Sequence, residues 1–393
     1  MRILQVSDFF TPVRGGLESH VDDLACELSR RGHEVHVATM TANPAPSSDD
    51  VEVHVVSNAA SRLISYADAD RPFHLPTADP VARRDLRTVI DEVRPDVIHA
   101  HSWLAASLPD VGVPVVFTAH DYALVCQLHT LLRTDGEQCG GQSFAACTRC
   151  ARRAHGTARA AALALGVPFG RNRLRVDLVL TLSEQVRRAL VGRLRMPVRA
   201  VGGFLPARPV PQPSAELPAA PFVMYAGDPG RHKGIDLLIN MWREDPPPAS
   251  LLLAVTRPLS RPTPPNVDVR TLDRTAVQNA WRRAAVAIVP SLWQEPYGMV
   301  AVEALSAGTP VVAFASGALT ELVRDGVDGV LVSPGDAVAL QRAVTTLLND
   351  DALRQRMSAA ALDGAKRFTA DVVVPRIEQA YADVTQPQLA GVR

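Results

Sequence analysis

Two carboxylates, Glu295 and Glu303, stand eight positions apart in QEPYGMVAVEALSAGTPVVA, separated by a proline, a glycine and an apolar run. Pro296 and Gly298 keep Glu295 out of a helix interior. The sequence therefore places Glu295 on a loop, starts a helix near Gly298 or Met299, and ends it at Gly308 and Pro310. A helix that begins directly after a strand presents unpaired backbone N–H groups and the positive end of its dipole, which together favour a phosphate. Gly298, Met299 and Val300 would form that seat, and Gly298 lets a ligand approach closely. Glu295 then faces what lies just outside the helix. Glu303, a turn or so inside, is placed to accept hydrogen bonds from hydroxyls beside the phosphate. Carboxylates suit sugar hydroxyls because they offer several acceptor positions and charge-assisted bonds. A phosphate flanked by two polyols describes a nucleotide sugar. The plainer alternative is a solvated helix residue at 303 and an ordinary loop carboxylate at 295.

His120 closes the apolar run PVVFTAHD (114–121), a position that favours function, although a lone histidine is more often structural. Lys233, in GRHKG, could equally be a surface lysine. Four of the five cysteines, Cys126, Cys139, Cys147 and Cys150, fall in CQLHTLLRTDGEQCGGQSFAACTRC. In a cytoplasmic protein persistent disulfides are disfavoured, and a cluster closing in C-x2-C points to tetrahedral zinc held by thiolates. The x12, x7, x2 spacing is not a usual zinc pattern, so redox disulfides, an iron–sulfur site and free thiols stay open. A structural zinc would pin a long insertion, 126–150, that follows His120. Cys26, on an apolar helix face, reads as core.

The elements that must position these residues alternate between strand and helix. RILQVSD (2–8) reads as a buried strand, and GLESHVDDLACELSRRG (16–32) as an amphipathic helix with Leu17, Val21, Leu24 and Leu28 at helical spacing. Strands follow at 33–40, 95–102, 114–121 and 176–184, apolar runs of the kind found in parallel sheets. After a proline-rich stretch the pattern restarts with strands at 222–228, 251–255, 285–291, 310–314 and 329–333. The expected architecture is α/β, with a Rossmann-like domain over 1–203, a linker over 204–221 and a second doubly wound domain over 222–370. A helix over 371–390, interrupted near Pro375, is expected to pack back on the first domain. Ligands of open α/β sheets collect at the carboxyl ends of strands, so a cleft between the domains is the expected binding place.

Composition narrows the partners. At 393 residues the chain exceeds a single core, and no apolar stretch reaches the roughly 18 residues that span a bilayer. Lys+Arg and Asp+Glu both total 41, which leaves no electrostatic footprint for nucleic acid. The start, MRILQVSDFF, lacks the pattern of a signal peptide, so a cytoplasmic protein is expected. The Arg- and Ala-rich stretch 151–175 reads first as a solvated helix and second as a peripheral contact with an anionic inner-membrane surface.

E-P-Y-G-M-V-x-V-E-A-L-S-A-G-T-P-V-V resembles the E-x7-E motif of retaining GT-B glycosyltransferases, the large family 4 that includes bacterial mannosyltransferases and sucrose synthases. The resemblance covers nearly the whole chain. V-R-G-G-L-E-S-H-V at 13–21 is similar to the family's first loop and helix, and implies that Gly15 and Gly16 bring backbone N–H groups to the donor phosphates. The family's active-site histidine maps onto His120. Y-A-G-x-x-x-R-H-K-G-I-D resembles the diphosphate loop and implies Lys233 on the phosphates. Many members carry Arg directly after that glycine; this chain has Asp228, and Arg231 is the expected substitute charge. The resemblance implies the GT-B fold and transfer of a hexosyl group, with retention, from a UDP- or GDP-sugar to a hydroxyl of a glycan, lipid-linked saccharide or small molecule. Glu295 would contact the donor sugar and Glu303 the ribose; no cofactor is expected for the chemistry.

Two other classes compete. A nucleotide-sugar epimerase on the same fold would need an acid/base set beside the donor sugar. A non-catalytic nucleotide-sugar-binding protein would be expected to lack the glutamates or His120, and all three are present. A dehydrogenase is disfavoured because the first loop reads V-R-G-G-L-E rather than G-x-G-x-x-G.

Overall fold

The structure, a computed structural model, describes residues 1–13, 15–59, 76–139, 143–206, 217–218 and 221–386. Most of the expected linker, 204–221, lies outside these residues. The chain divides into two compact units, Met1–Pro206 with Ala370–Arg393, and Ala207–Thr369.

In the first unit seven parallel strands form one sheet: β1 (Arg2–Ser7), β2 (Glu34–Thr39), β3 (Val51–Val55), β4 (Val97–Ala100), β5 (Val115–Ala119), β6 (Leu178–Thr181) and β7 (Val198–Ala200). Their order is β3-β2-β1-β4-β5-β6-β7. The chain moves outward in one direction from β1 and then returns to the other side at β4, so the switch point lies between β1 and β4. Such a point leaves a crevice at the carboxyl ends of two neighbouring strands. The helix Gly16–Arg30 covers one face, burying Val21, Leu24, Ala25 and Leu28 against Ile3, Val35 and Val37. The helix Pro80–Val93 covers the other face, burying Leu86, Val89, Ile90 and Val93. Its start is set by Asp79, whose carboxylate accepts from the N–H groups of Val81 and Ala82, with Pro80 at the first helical position.

The second unit repeats the plan with six parallel strands: β8 (Phe222–Gly227), β9 (Ser250–Val255), β10 (Val267–Arg270), β11 (Val286–Val289), β12 (Val311–Phe314) and β13 (Gly329–Val332). Here the order is β10-β9-β8-β11-β12-β13, which puts the switch point between β8 and β11. Trp242, Leu251, Leu253, Ile288, Val312 and Phe314 are among its buried core.

Two local expectations are corrected. The C-terminal helix is continuous from Ala370 to Thr385, with Pro375 inside it. A proline costs an interior helix about 3 kcal/mol. Val373, Val374, Ile377, Ala380 and Tyr381 are all buried in the first unit's core, and at roughly 1.5 kcal/mol or more for each large side chain their packing outweighs that cost. The basic stretch 151–175 is not one segment: helices Phe144–His155 and Thr157–Arg173 meet at Gly156, whose φ of 80° belongs to the left-handed region. Among the described residues no helix is long and apolar enough to cross a membrane.

Candidate active site

At the second unit's switch point the loop after β8 carries Lys233 and the loop after β11 carries Glu295. The two side chains meet: Lys233 Nζ donates to Glu295 Oε1 at 2.8 Å and Oε2 at 2.9 Å. Glu295 Oε2 also accepts from Ser291 Oγ at 2.7 Å and Trp293 Nε1 at 2.8 Å. The Lys233 ammonium lies 4.7 Å from the centroid of the Trp293 ring, a cation–π contact. Burial pushes the Glu295 carboxyl up, but the adjacent Lys233 charge and the hydrogen bonds from Lys233, Ser291 and Trp293 outweigh it and hold the group below its ordinary range. Glu295 is thus a buried carboxylate with three donors on Oε2 and the Lys233 ammonium on Oε1.

The backbone around it is built to a close tolerance. A Cβ on Gly317 would stand 2.3 Å from the Glu295 nitrogen, and one on Gly234 would stand 2.0 Å from the Pro290 carbonyl oxygen. Both glycines have positive φ, 59° and 76°, so only a glycine fits either place without strain.

The helix that follows runs Met299–Ser306, with Gly298 at its cap in the left-handed conformation, φ 96°, and no side chain capping it. Its first N–H groups and dipole are therefore presented to the space ahead of the helix. Met299 and Val300 are half-buried in its first turn. Glu303, one turn in, accepts from Trp281 Nε1 at 3.4 Å.

Asp228 and Arg231 both follow β8, but the two side chains do not pair with each other. The Arg231 side chain is 96% exposed and lies 3.8 Å from Asp236. Arg257 comes to Asp228 instead, its Nε 3.1 Å from Oδ2. Arg257 follows β9, 29 residues along the chain from Asp228, so local spacing did not indicate this pairing.

In the first unit Gly15 and Gly16 start the helix Gly16–Arg30 without a side-chain cap, at the carboxyl end of β1. A Cβ on Gly15 would stand 2.1 Å from the Glu18 carboxylate, whereas Gly16 has open space. Beside them, where the helix meets β4 and β5, four histidines come together, His20, His99 and His101 buried and His120 half-buried. His101 Nδ1 is 3.1 Å from His120 Nε2, and the His20 ring lies 5.0 Å from that of His120. His99 stacks against His101 at 4.1 Å and hydrogen-bonds Tyr381 Oη at 2.6 Å and Thr118 Oγ1 at 2.7 Å. Burial keeps all four neutral. It lowers His20 to about 4 against a small opposing pull from Asp23, lowers His99 to about 3, and puts His101 and His120 well below the ordinary imidazole value, with neighbouring histidines adding to the last three. His20, His99 and His101 were missed by sequence reasoning. Their signal was H-A-H at 99–101 at a strand end, and a histidine in the second turn of the glycine-started helix.

The four clustered cysteines do come to one place. Cys126, Cys139, Cys147 and Cys150 line a cavity of about 380 Å³ with Arg133 and Arg149. They are not closed into a zinc set: among the described residues no three of these sulfurs lie within 4.8 Å of one another.

Both family models that match this chain describe glycosyltransferases. "Glycosyltransferase Family 4" matches residues 14–201, and "Glycosyl transferases group 1" matches residues 269–363. A phosphatidyl-myo-inositol mannosyltransferase from Mycobacterium leprae is 31% identical over 98% of this chain and 97% of its own length. The chain belongs to the family 4 glycosyltransferases. Among solved structures, a sucrose-phosphate synthase from Thermosynechococcus elongatus superposes with a TM-score of 0.73 at 20% identity, covering 98% of this chain and 99% of that one. HepE from Anabaena, solved in complex with UDP, superposes at 0.63 with 19% identity, covering 98% of this chain and all of that one. These likenesses establish the GT-B fold, with its two parallel-sheet Rossmann-like domains. This family 4 chain is a glycosyltransferase of the hexosyltransferase class, and nothing in the comparisons points to an epimerase.

Proposed function

We propose that this glycosyltransferase transfers a hexosyl group, with retention of configuration, from a nucleoside diphosphate sugar to an acceptor hydroxyl. The observation that carries the reading is the pair of half-buried Lys233 and buried Glu295, which precedes the uncapped helix Met299–Ser306. Loss of the diphosphate builds negative charge on its oxygens and positive charge on the sugar ring. The helix start at Gly298, Met299 and Val300 and the Lys233 ammonium stabilise the first, as preorganised donors do. An ammonium has three N–H groups; two directions are used on Glu295, and the third serves a phosphate oxygen. The Glu295 carboxylate, ionised at neutral pH, accepts from a donor-sugar hydroxyl and offsets the developing ring charge. Glu303 accepts from the ribose. Within the first unit, the uncapped Gly15–Gly16 helix start is suited to an anionic group, and His120, neutral, to a sugar hydroxyl through a hydrogen bond. The leaving phosphate takes the acceptor's proton in a front-face transfer.

UDP is supported as the donor nucleotide by the HepE complex, and a GDP-sugar is the second candidate. The acceptor is a hydroxyl of a lipid-linked saccharide, a glycan or a small molecule, and the mycobacterial relative's name supports the first of these as one candidate. Phe144, Leu165 and Phe169 are exposed on helices that also carry Arg152, Arg153, Arg171 and Arg173, a surface suited to peripheral contact with anionic lipid. Thermal unfolding with UDP, GDP, ADP and dTDP in parallel tests the donor site. A nucleotide at about 100 times its dissociation constant stabilises by roughly 2.7 kcal/mol. UDP or GDP alone should raise the melting temperature, and equal melting with all four would defeat the reading.

For the cysteine cavity we propose a structural zinc that draws the four thiolates together on binding. Protein purified without chelator should carry about one equivalent of zinc per chain more than Cys147→Ser does; equal zinc in the two, with four titratable thiols in the parent, would refute it.

A further inference from the structure

Glu34-Val35-His36-Val37 and Glu52-Val53-His54-Val55 repeat the same four residue types on neighbouring strands. β2 and β3 pair in parallel with His36 opposite Glu52 and Ala38 opposite His54. Because side chains alternate along a strand, Glu34, His36, Glu52 and His54 share one face. Val35, Val37 and Val51 occupy the other, in the core beneath the helix Gly16–Arg30.

The register brings three ligand atoms to one point. His36 Nδ1 is 3.2 Å from His54 Nε2 and 3.4 Å from Glu52 Oε2, while His54 Nε2 is 3.9 Å from Glu52 Oε1. A tetrahedral ion bound at 2.0–2.1 Å holds its ligands roughly 3.3 Å apart, so the observed spacing fits an ion between them. A second feature points the same way. His36 Nε2 lies 3.2 Å from Glu34 Oε1, and a carboxylate there takes the Nε2 proton and leaves the Nδ1 lone pair directed at the other two ligands. A plain imidazole–imidazole hydrogen bond accounts for the first distance only. It explains neither the carboxylate at the third corner nor the one behind His36.

We propose that His36, His54 and Glu52 bind one divalent transition-metal ion, zinc in the first instance, with Glu34 as the outer carboxylate that orients His36. Two imidazoles and a carboxylate favour zinc, nickel or copper over magnesium or calcium. His36 is buried, His54 half-buried and Glu52 exposed, so the fourth position opens to water. β3 is the edge strand of its sheet, and an ion bridging it to β2 clips that edge in place. The site is separate from the proposed transfer chemistry and does not depend on it.

Calorimetric titration of the full chain with zinc chloride tests the site, with every cysteine retained so that thiolate uptake cancels between variants. His36→Ala and His54→Ala should each bind one equivalent less than the parent. Glu34→Gln should keep that equivalent but weaken it by about 10- to 100-fold. Glu52→Gln changes an exposed side chain that folding does not need, and should lose at least about tenfold in affinity. With copper(II) in place of zinc, the electron paramagnetic resonance spectrum should show coupling to imidazole nitrogen that His54→Ala removes. Equal stoichiometry in parent and histidine variants, or unchanged affinity in Glu52→Gln, would overturn the proposal.

Discussion

Glu295→Gln should lower kcat/KM for transfer by at least about a thousandfold, equivalent to ~4 kcal/mol of transition-state stabilisation. The amide keeps the shape and can still accept from Ser291 Oγ or Trp293 Nε1, but it carries no charge to set against the sugar ring or against Lys233. Glu295→Ala adds a stability loss. Removing one partner of a buried ion pair costs 3–5 kcal/mol, and with Lys233 still 23% exposed to solvent the lower end, about 3 kcal/mol, applies. The Gln variant therefore isolates chemistry and the Ala variant mixes it with folding. Circular dichroism and melting curves recorded beside the kinetics separate the two. The nucleotide-induced melting shift should survive in Glu295→Gln, because the uncapped helix start and Lys233 remain. Near-normal turnover in a folded Glu295→Gln protein would remove Glu295 from the mechanism. The pair also has a pH signature: a carboxyl held below its ordinary value contributes stability above about pH 4.5, and that contribution is lost as pH falls through the depressed native value.

The helix around Glu303 was legible in the sequence because its punctuation is local. Pro296, Gly298, Gly308 and Pro310 each act within one or two residues, and the observed helix, Met299–Ser306, lies between them. Strands buried on both faces, such as VVFTA and LLLAV, stood out for the same reason. What did not show was pairing at long range. Lys233 and Glu295 are 62 residues apart, and His99 and Tyr381 are 282 apart. Only the switch-point topology brings the first pair together, and only the return of the C-terminal helix supplies the second. The missed strands, β3, β7 and β10, are short and interleave charged or polar residues with valine, as in VEVHV and VDVR, so they resemble connecting loops. The same interleaving on β3 concealed His54 and Glu52 beside His36. Asp228 was noticed as a departure, but its partner Arg257 follows a different strand and no local spacing reveals it.

Lowering the pH from 7 to 5 should destabilise the first unit strongly, a consequence of the same histidines that surround His120. A buried histidine that resists protonation in the native state still titrates near 6.5 once unfolded, so below that value the unfolded chain binds more protons and stability falls with pH. For His20, lowered to about 4, and His99, lowered to about 3, the loss at pH 5 is ~2 kcal/mol each, and the drop continues down to the native values. His101 and His120 shift in the same direction and add to it. Against a typical domain stability of about 5–15 kcal/mol, the sum is a large fraction of the whole. Above pH 6.5 the four contribute no pH dependence, so the melting temperature should be flat there and fall steeply below. His99→Phe removes one titrating group together with its bonds to Tyr381 and Thr118; it should lower stability at pH 7 yet flatten the slope below pH 6.5. A melting temperature that holds constant from pH 7 to 5 would mean these imidazoles ionise in place. His120 would then titrate near the ordinary imidazole value, so it would be charged only at the acidic end of that range and its part in the transfer would vary with pH across it.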